Sequence, residues 1–379
     1  AARGPIDRCR ALLGVAAGQR LVAGIDDALA ALAEAEPLAR DAGLTRELAE
    51  LHHTRGNLHF ARADVAGCAA EHAHALRHAR ALGDPAWEAR ALSGLADADY
   101  AVAKMRTAFE RFRQCVAVCD AHGLTRVAIP NRAMAGHCRI YLMEFDEGAA
   151  DMELARVLAC QVGDRHGEMF AVESLALLLT FCARYADAEP MLERAAAFAE
   201  MLGARRYQAV LLAALAETLF ATGRREEARA QNARALALAT ASGIHFCGPL
   251  VFALEARMHD AERERERSWA KAATLIAERG IGHSPIAFHR LAIDDALERG
   301  EFPRALAHAD ALERYTAAEP LPYTDFLIAR SRVLVGLAAN GDDQSLAGEL
   351  ERLQREAERV RWPIRWPDWV RHGSRPVAT

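Results

Sequence analysis

A glycine recurs every 40 residues along the first two thirds of the chain, and this spacing restricts the possible folds more than any other feature. Each glycine follows an apolar stretch with helical periodicity. Glycine adopts at low cost the left-handed backbone conformation that closes a helix C-terminus. A constant spacing of this kind indicates a structural repeat. The six positions are Gly43, Gly83, Gly123, Gly163, Gly203 and Gly243.

Two columns of small residues follow the same 40-residue register. The first column stands 15 residues before each glycine, and the second lies seven residues after the first. Small residues at these places let the two helices of a hairpin approach closely, and they match the small positions of tetratricopeptide repeats. The first column is Ala28, Cys68, Ala108, Gly148, Ala188 and Ala228, and the second is Ala35, Ala75, Cys115, Ala155, Ala195 and Ala235.

The repeat predicts an all-α fold, a right-handed superhelical solenoid of about nine tetratricopeptide-like hairpins. Each hairpin has an A helix and a B helix. In the second hairpin they are expected at about 87–101 and 105–121, and in the last at about 323–340 and 343–360. Abundant alanine favours helices, and few runs of Val, Ile or Thr favour strands.

The register slips by three residues after Gly243, because Gly280 follows 37 residues later. The unit at 244–280 is therefore predicted to be degenerate, with Arg265 and Ala272 in the two small-residue columns. We expect the solenoid to cover residues 1–360. Residues 361–379 are rich in Trp and Pro, and we expect them either to cap the open end of the last hairpin or to contact a neighbour.

Composition excludes several classes of function. The net charge of −5 gives no basic footprint for nucleic acid. No stretch approaches the roughly 20 apolar residues of a membrane span. Eight scattered cysteines without a CxxC motif suit a reducing, cytoplasmic location.

The sequence lacks a phosphate loop, GxSxG and HExxH, so we expect no catalytic residues, no metal and no cofactor in this segment. Because it begins AARG, we expect a piece of a longer protein.

Cys247 lies in the motif HFCGP (245–249) beside a histidine, which could indicate a nucleophile and its base. The motif follows the closing Gly243, and Pro249 suits the first turn of a new helix. We therefore interpret Cys247 as a packing residue in a joint between hairpins. A catalytic or a regulatory thiol is the alternative.

Two histidine and cysteine groups have spacings that could place ligands on one helix face. No acidic or thiolate ligands at a fixed spacing join the first group, and Cys115 of the second group lies in a small-residue column, which argues for burial. We therefore interpret both groups as packed or solvated side chains, with a metal site as the alternative. The first group is His52, His53, His59, His72, His74 and His78, and the second is Cys115, Cys119 and His122.

The inner faces of the A helices form the predicted partner-binding groove. In tetratricopeptide arrays these faces line a concave surface, and mixed polar and aromatic side chains suit recognition of a peptide or protein. Ordinary exposed polar residues are the alternative for any single position. Counting in register places there His53, Asn57, Asp97, Tyr100, His137, Tyr141, Glu173 and Glu217.

Several stretches resemble the C-terminal region of large bacterial class III adenylate/guanylate cyclases that also carry an AAA-type ATPase module. The likeness extends from about residue 20 to 350. HFCGP and the block 282–332 are its more specific parts, because repeat architecture does not require them. The stretches are GLADADYAVAKMRTAFERFRQCVAVCDAHGL (94–124), CRIYLMEFDEGAAD (138–151), HFCGPLVFALEA (245–256) and GHSPIAFHRLAIDDALERGEFPRALAHADALERYTAAEPLPYTDFLIARSR (282–332).

The resemblance implies a regulatory or partner-binding arm attached to N-terminal ATPase and cyclase domains. None of the catalytic residues of those domains can be carried over to this segment. Two other functions remain open. The segment could be the repeat arm of an ATPase-type transcriptional activator, or a small-ligand sensor with its ligand in the groove or near GHSP (282–285). In each case we expect a protein, peptide or attached domain as partner, and contact with neither nucleic acid nor membrane.

Overall fold

The predicted all-α array of tetratricopeptide-like hairpins is confirmed by a computed structural model. The structure describes residues 4–21, 25–340, 343–364, 366 and 370. Within these residues every regular element is an α-helix. The eighteen helices are α1 (Pro5–Leu21), α2 (Ile25–Asp41), α3 (Thr45–Ala61), α4 (Val65–Leu82), α5 (Pro85–Ala101), α6 (Met105–His122), α7 (Thr125–Tyr141), α8 (Phe145–Gln161), α9 (Arg165–Phe181), α10 (Tyr185–Met201), α11 (Arg205–Ala221), α12 (Arg225–Ser242), α13 (Gly248–Met258), α14 (Glu262–Arg279), α15 (His283–Arg299), α16 (Phe302–Thr316), α17 (Pro322–Ala339) and α18 (Gln344–Arg359).

The helices group into two compact units. Unit 1 comprises Ala1–Val102 and Arg106–Ala135, and unit 2 comprises Ala103–Met105 and Gly136–Thr379. From α3 to α12, odd-numbered helices are the A helices of the 40-residue repeat and even-numbered helices are the B helices. Within each unit, the buried residues of successive helices form the core.

The outer turns, which join one hairpin to the next, have the backbone conformation that their glycines predict. Gly43, Gly83, Gly123, Gly163 and Gly203 have φ between 63° and 68°, and the sixth, Gly243, has φ of 115°. A side chain rarely tolerates these angles. Aspartate follows two of the glycines and caps the next helix, since Asp84 accepts from the backbone N–H groups of Ala86 and Trp87.

The small-residue columns lie at the closest helix–helix contacts. Ala28, Ala108, Ala188 and Ala228 have no exposed surface. The contact between α7 and α8 is especially tight, because a Cβ added to Gly136 would lie 2.8 Å from the carbonyl oxygen of Gly148. Only glycine fits such an approach without a shift of backbone.

The inner turns, which join the A helix to the B helix of one hairpin, contain a second left-handed column that the sequence analysis missed. Its members again stand 40 residues apart, with φ between 54° and 87°. They are Ala63, Ala103, Met143, Ala183 and Gly223. Because only the last is glycine, the column carries no glycine signal in the sequence.

The predicted degenerate unit differs from its neighbours in two ways. Its A helix, α13, has only 11 residues, and Gly280 has φ of −70°, so it does not adopt the left-handed conformation. In α14 the column position of Arg265 is buried, and its guanidinium donates to Asp295 at 3.0 Å and to Glu301 at 2.6 Å. Ala272, in the second column, is also fully buried.

The segment after α18 folds back onto unit 2. Trp362 is 5% exposed and stacks on Tyr323 of α17, with ring centroids 5.1 Å apart. It also meets Phe145, the first residue of α8. Of the predicted cap at 361–379, residues 365, 367–369 and 371–379 lie outside the described part.

None of the described helices combines the length and the apolar character needed to cross a bilayer.

Candidate partner-binding site

The eight predicted groove residues separate into two groups by burial. In unit 1 all four remain half-buried, on α3 (His53, Asn57) and on α5 (Asp97, Tyr100). In unit 2 His137 is half-buried, but Tyr141, Glu173 and Glu217 are buried, with exposures of 2%, 3% and 7%. These three are therefore part of the interior of unit 2 and do not line an open surface in this form.

The inner face of unit 1 has a polar edge on α3 and an aromatic side. Asn57 lies one turn after His53, and their side-chain nitrogens Nδ2 and Nε2 are 3.1 Å apart. The His53 ring meets the rings of His72 and Trp87 edge-on, at centroid distances of 5.2 Å and 5.6 Å. The imidazole of His53 is therefore held in a fixed orientation beside α5.

Asp97 is the central acidic group on this face. Burial raises the pKa of its carboxyl to about 7, and no hydrogen bond or charge from a described residue counteracts that effect. The next acidic residue, Asp99, by contrast forms an ion pair with Arg111 at 2.6 Å. Asp97 is thus a half-buried acid that has no hydrogen-bond or charge partner among the described residues and lies near its change of charge at neutral pH.

Two buried thiols lie close enough to Asp97 to respond to its charge. Burial, with a smaller contribution from Asp97, raises the pKa of Cys68 to about 12. Cys115 donates its S–H to the carbonyl oxygen of Ala89 at 3.2 Å. A hydrogen bond with Cys119 and burial raise the pKa of the Cys115 thiol above its usual value, and the charge of Asp97 adds to the rise. Both thiols therefore stay protonated at neutral pH and pack as small apolar groups.

In unit 2 the inner faces of the A helices contact one another directly. Arg290 of α15 donates to Glu217 of α11 at 2.6 Å, across 73 residues of sequence. Arg330 of α17 pairs likewise with Asp294 of α15 at 2.8 Å. Each pair joins a buried group, Glu217 or Arg330, to a half-buried one, and charge-assisted hydrogen bonds of this kind hold their partners in place. The sequence analysis had not singled out Arg290, Asp294 or Arg330, and no local pattern identifies them.

Glu173 and His137 lie in a second polar region of unit 2. Ser174 donates to the carbonyl oxygen of Phe170 at 2.8 Å, so its oxygen accepts from Nε2 of His137 at 2.9 Å. Burial raises the pKa of Glu173 to about 8, and Arg206 opposes the rise. Oε2 of Glu173 is buried, and no described residue forms a hydrogen bond with it. The carboxyl is therefore neutral at pH 7.

Cys247 immediately precedes α13 and is 4% exposed. Burial raises the pKa of its thiol to about 12, and the charge of Arg206 offsets this only in part. A reactive thiol needs a lowered pKa and access to solvent. The geometry therefore agrees with a packing cysteine in the joint between hairpins.

The histidine group of unit 1 is held together by ring stacking. His52 stacks on His74 and His78, with centroids 4.9 Å and 5.5 Å away, and its Nδ1 lies 2.7 Å from Oε2 of Glu71. His72 lies apart from this stack, buried between α3 and α5. Within the described residues, no three His, Cys, Asp or Glu side chains are arranged to hold a metal ion.

The fold is that of the tetratricopeptide-like helical repeat proteins. No protein-family profile and no curated protein matches the sequence. Solved structures do match. A Rap protein complexed with Competence and Sporulation Factor has a TM-score of 0.63 at 11% identity, over 82% of this chain and 98% of that one.

Two further structures are similar. Aspartyl phosphate phosphatase F from Bacillus subtilis has a TM-score of 0.59 at 12% identity, over 75% of each chain. The Rap conjugation gene regulator of plasmid pLS20, in complex with the Phr* peptide, has a TM-score of 0.52 at 12% identity, over 92% of this chain and 97% of that one. At these identities the likeness shows the fold.

Proposed function

We propose that the chain is a regulatory sensor arm that binds a protein or peptide on the inner face of unit 1. The observation that carries the proposal is Asp97, a half-buried acid for which the described part of the chain supplies no hydrogen-bond or charge partner. It lies on the same face as His53, Asn57 and Tyr100. Such a face suits recognition, because a binding partner can supply the hydrogen bonds or charge that the fold leaves unmade.

The solved structures support the peptide as ligand class. Two of them are complexes, one with Competence and Sporulation Factor and one with the Phr* peptide. The two ligands are known only as ligands of those two proteins. For this chain we propose only the class of ligand, which is a peptide or a segment of a protein. We also propose that the chain itself has neither catalytic activity nor a cofactor, and that it is cytoplasmic.

Selection from a displayed random-peptide library against the immobilised full chain tests the proposal. We expect Asp97→Asn to weaken the selected peptides about tenfold or more, which corresponds to about 1.4 kcal/mol. Affinity should change with pH near 7, where Asp97 ionises. The matched control is Glu110→Gln, an exposed carboxylate of the same unit. Failure to select any peptide, or equal affinity for wild type and Asp97→Asn, would contradict the proposal.

We further propose that the arm belongs to a multidomain signalling ATPase, with an adenylate/guanylate cyclase as the first candidate parent. The stretches at 245–256 and 282–332 support this, because the repeat does not require their sequences. The complete coding sequence tests it directly. An N-terminal cyclase domain and ATPase module would support it, whereas a DNA-binding helix-turn-helix would identify a transcriptional activator instead.

A further inference from the structure

Trp362 occupies a site built from aromatic residues at two distant places in unit 2. Its ring is stacked on Tyr323 at an interplanar angle of 23° and lies 5.0 Å from the ring of Phe326, both on α17. On the other side it meets Phe145 of α8 at 5.9 Å. We call Phe145, Tyr323 and Phe326 the tryptophan site.

The floor of the tryptophan site is formed by the helices themselves. Tyr323 is fully buried, and its ring also packs against Tyr141 of α7 at 5.9 Å and Phe181 of α9 at 6.1 Å. Edge-to-face contacts among these rings hold Tyr323 in position. The surface on which Trp362 stacks therefore comes from three helices that precede the tryptophan in the chain.

The residues around Trp362 add contacts that involve charged side chains. Arg361 forms an ion pair with Asp146, the second residue of α8. Further along, the ring of Trp366 lies 6.4 Å from Phe326, and the guanidinium of Arg330 lies over it at 5.7 Å. We call residues 361–364 (RWPI) together with Trp366 the strap. Its proline after the tryptophan favours an extended backbone, the form in which peptides commonly bind.

We propose that the tryptophan site is a peptide-binding site for a tryptophan preceded by a basic residue, and that the strap fills it in the resting state. The three rings of the tryptophan site bind the indole ring of the peptide, and the carboxylate of Asp146 pairs with the positive charge of its basic residue. The proposal concerns unit 2 alone and does not depend on the groove of unit 1. Because the strap is covalently attached, it competes with a free peptide at a high effective concentration.

The test uses the full chain carrying Trp362→Ala and the synthetic peptide RWPIRWPDWV, which is residues 361–370. We expect this variant to bind the peptide saturably, and a peptide with alanine in place of its first tryptophan to bind at least about tenfold more weakly. Wild-type chain should bind the intact peptide at least about tenfold more weakly than the variant, since its own strap competes.

A charge exchange separates recognition from a merely structural role. In the Trp362→Ala background, Asp146→Arg should weaken the intact peptide and strengthen a peptide whose first arginine is replaced by glutamate. Trp87→Ala, which removes a tryptophan from unit 1, is the matched control and should create no binding.

Two results would overturn the proposal: a folded Trp362→Ala chain that does not bind the peptide, or equal affinity for wild type and variant. If Trp362→Ala does not fold, Trp362→Leu keeps an apolar side chain in the site, and the same titration decides.

Discussion

At the scale of single residues, His72 shows how tightly the helices of unit 1 pack. Its imidazole lies between Gly56 of α3 and Gly94 of α5, and a Cβ added to Gly94 would come within 2.2 Å of the ring. Burial lowers the pKa of His72 to about 4, so the ring is neutral at pH 7. Neither ring nitrogen has a hydrogen-bond partner in the described part of the chain. The ring acts as a packing group.

Gly94→Ala should therefore lower the free energy of unfolding by about 1–3 kcal/mol, because the added methyl overpacks the contact. Denaturant unfolding measures the loss. His72→Ala removes the clashing ring, so the double variant should be more stable than the sum of the two single effects. Gly348→Ala is the control: it meets no atom within 4 Å and lies in α18, so alanine should stabilise by up to about 1 kcal/mol. Additive effects at positions 72 and 94 would contradict the packing described here.

Counting along the repeat identifies which helix face a residue occupies but not how deeply it is buried. Tyr141, Glu173 and Glu217 were assigned to the inner faces of A helices, and they lie in the interior of unit 2. Tyr323 covers Tyr141, and Arg290 covers Glu217, each from a helix far along the chain. Local periodicity contains no information on such long-range partners, so their burial could not be predicted from the sequence.

At the scale of elements, the helix bounds of the 40-residue repeat were predictable because a glycine marks each outer turn from Gly43 to Gly243. The expected helices at 87–101 and 105–121 agree closely with α5 (Pro85–Ala101) and α6 (Met105–His122). The inner turns were not recognised as a column, since alanine or methionine occupies four of the five left-handed positions. A non-glycine residue is strained in that conformation by about 1–2 kcal/mol.

Ala183→Gly should raise the free energy of unfolding by about 1 kcal/mol, because glycine relieves this strain. Its counterpart one hairpin later, Gly223→Ala, should lower it by a similar amount. A Cβ at Gly223 meets no atom within 4 Å, so the loss of stability in Gly223→Ala comes from the backbone angle φ of 87° and not from a steric clash. Thermal unfolding of both variants provides the comparison, and shifts of the same sign would contradict the strain argument.

At the scale of the whole molecule, buried titratable groups predict a maximum of stability near pH 6.5. Five histidines have pKa values lowered by burial from 6.5 to about 4, so below pH 6.5 the unfolded chain takes up protons that the folded chain does not. Stability is therefore lost as pH falls from about 6.5 to 4. The five are His72, His137, His283, His289 and His308.

Above pH 6.5 two acids act in the opposite direction. In the folded chain the carboxyl of Asp97 stays protonated up to about pH 7 and that of Glu173 up to about pH 8. In the unfolded chain both carboxyls are already ionised at pH 6.5. Stability therefore declines from pH 6.5 to 8. Glu173→Gln should reduce that decline by on the order of 1–2 kcal/mol. Melting temperatures across pH 4–8 test this, with the exposed Glu193→Gln as control. An unchanged alkaline decline in Glu173→Gln would contradict it.

The strap also has an evolutionary consequence, for the number of hairpins that unit 2 can contain. Trp362 meets both Phe145 at the start of α8 and Tyr323 of α17. Stacked helices lie about 10 Å apart, so a hairpin inserted or deleted between α8 and α17 would move the two halves of the site out of reach of one ring. Duplication, the usual source of length variation in repeat proteins, is therefore expected to be selected against between these helices. It should be tolerated only before α7, because Tyr141 of α7 also packs against Tyr323. Relatives with different numbers of hairpins in that interval should also lack the tryptophan.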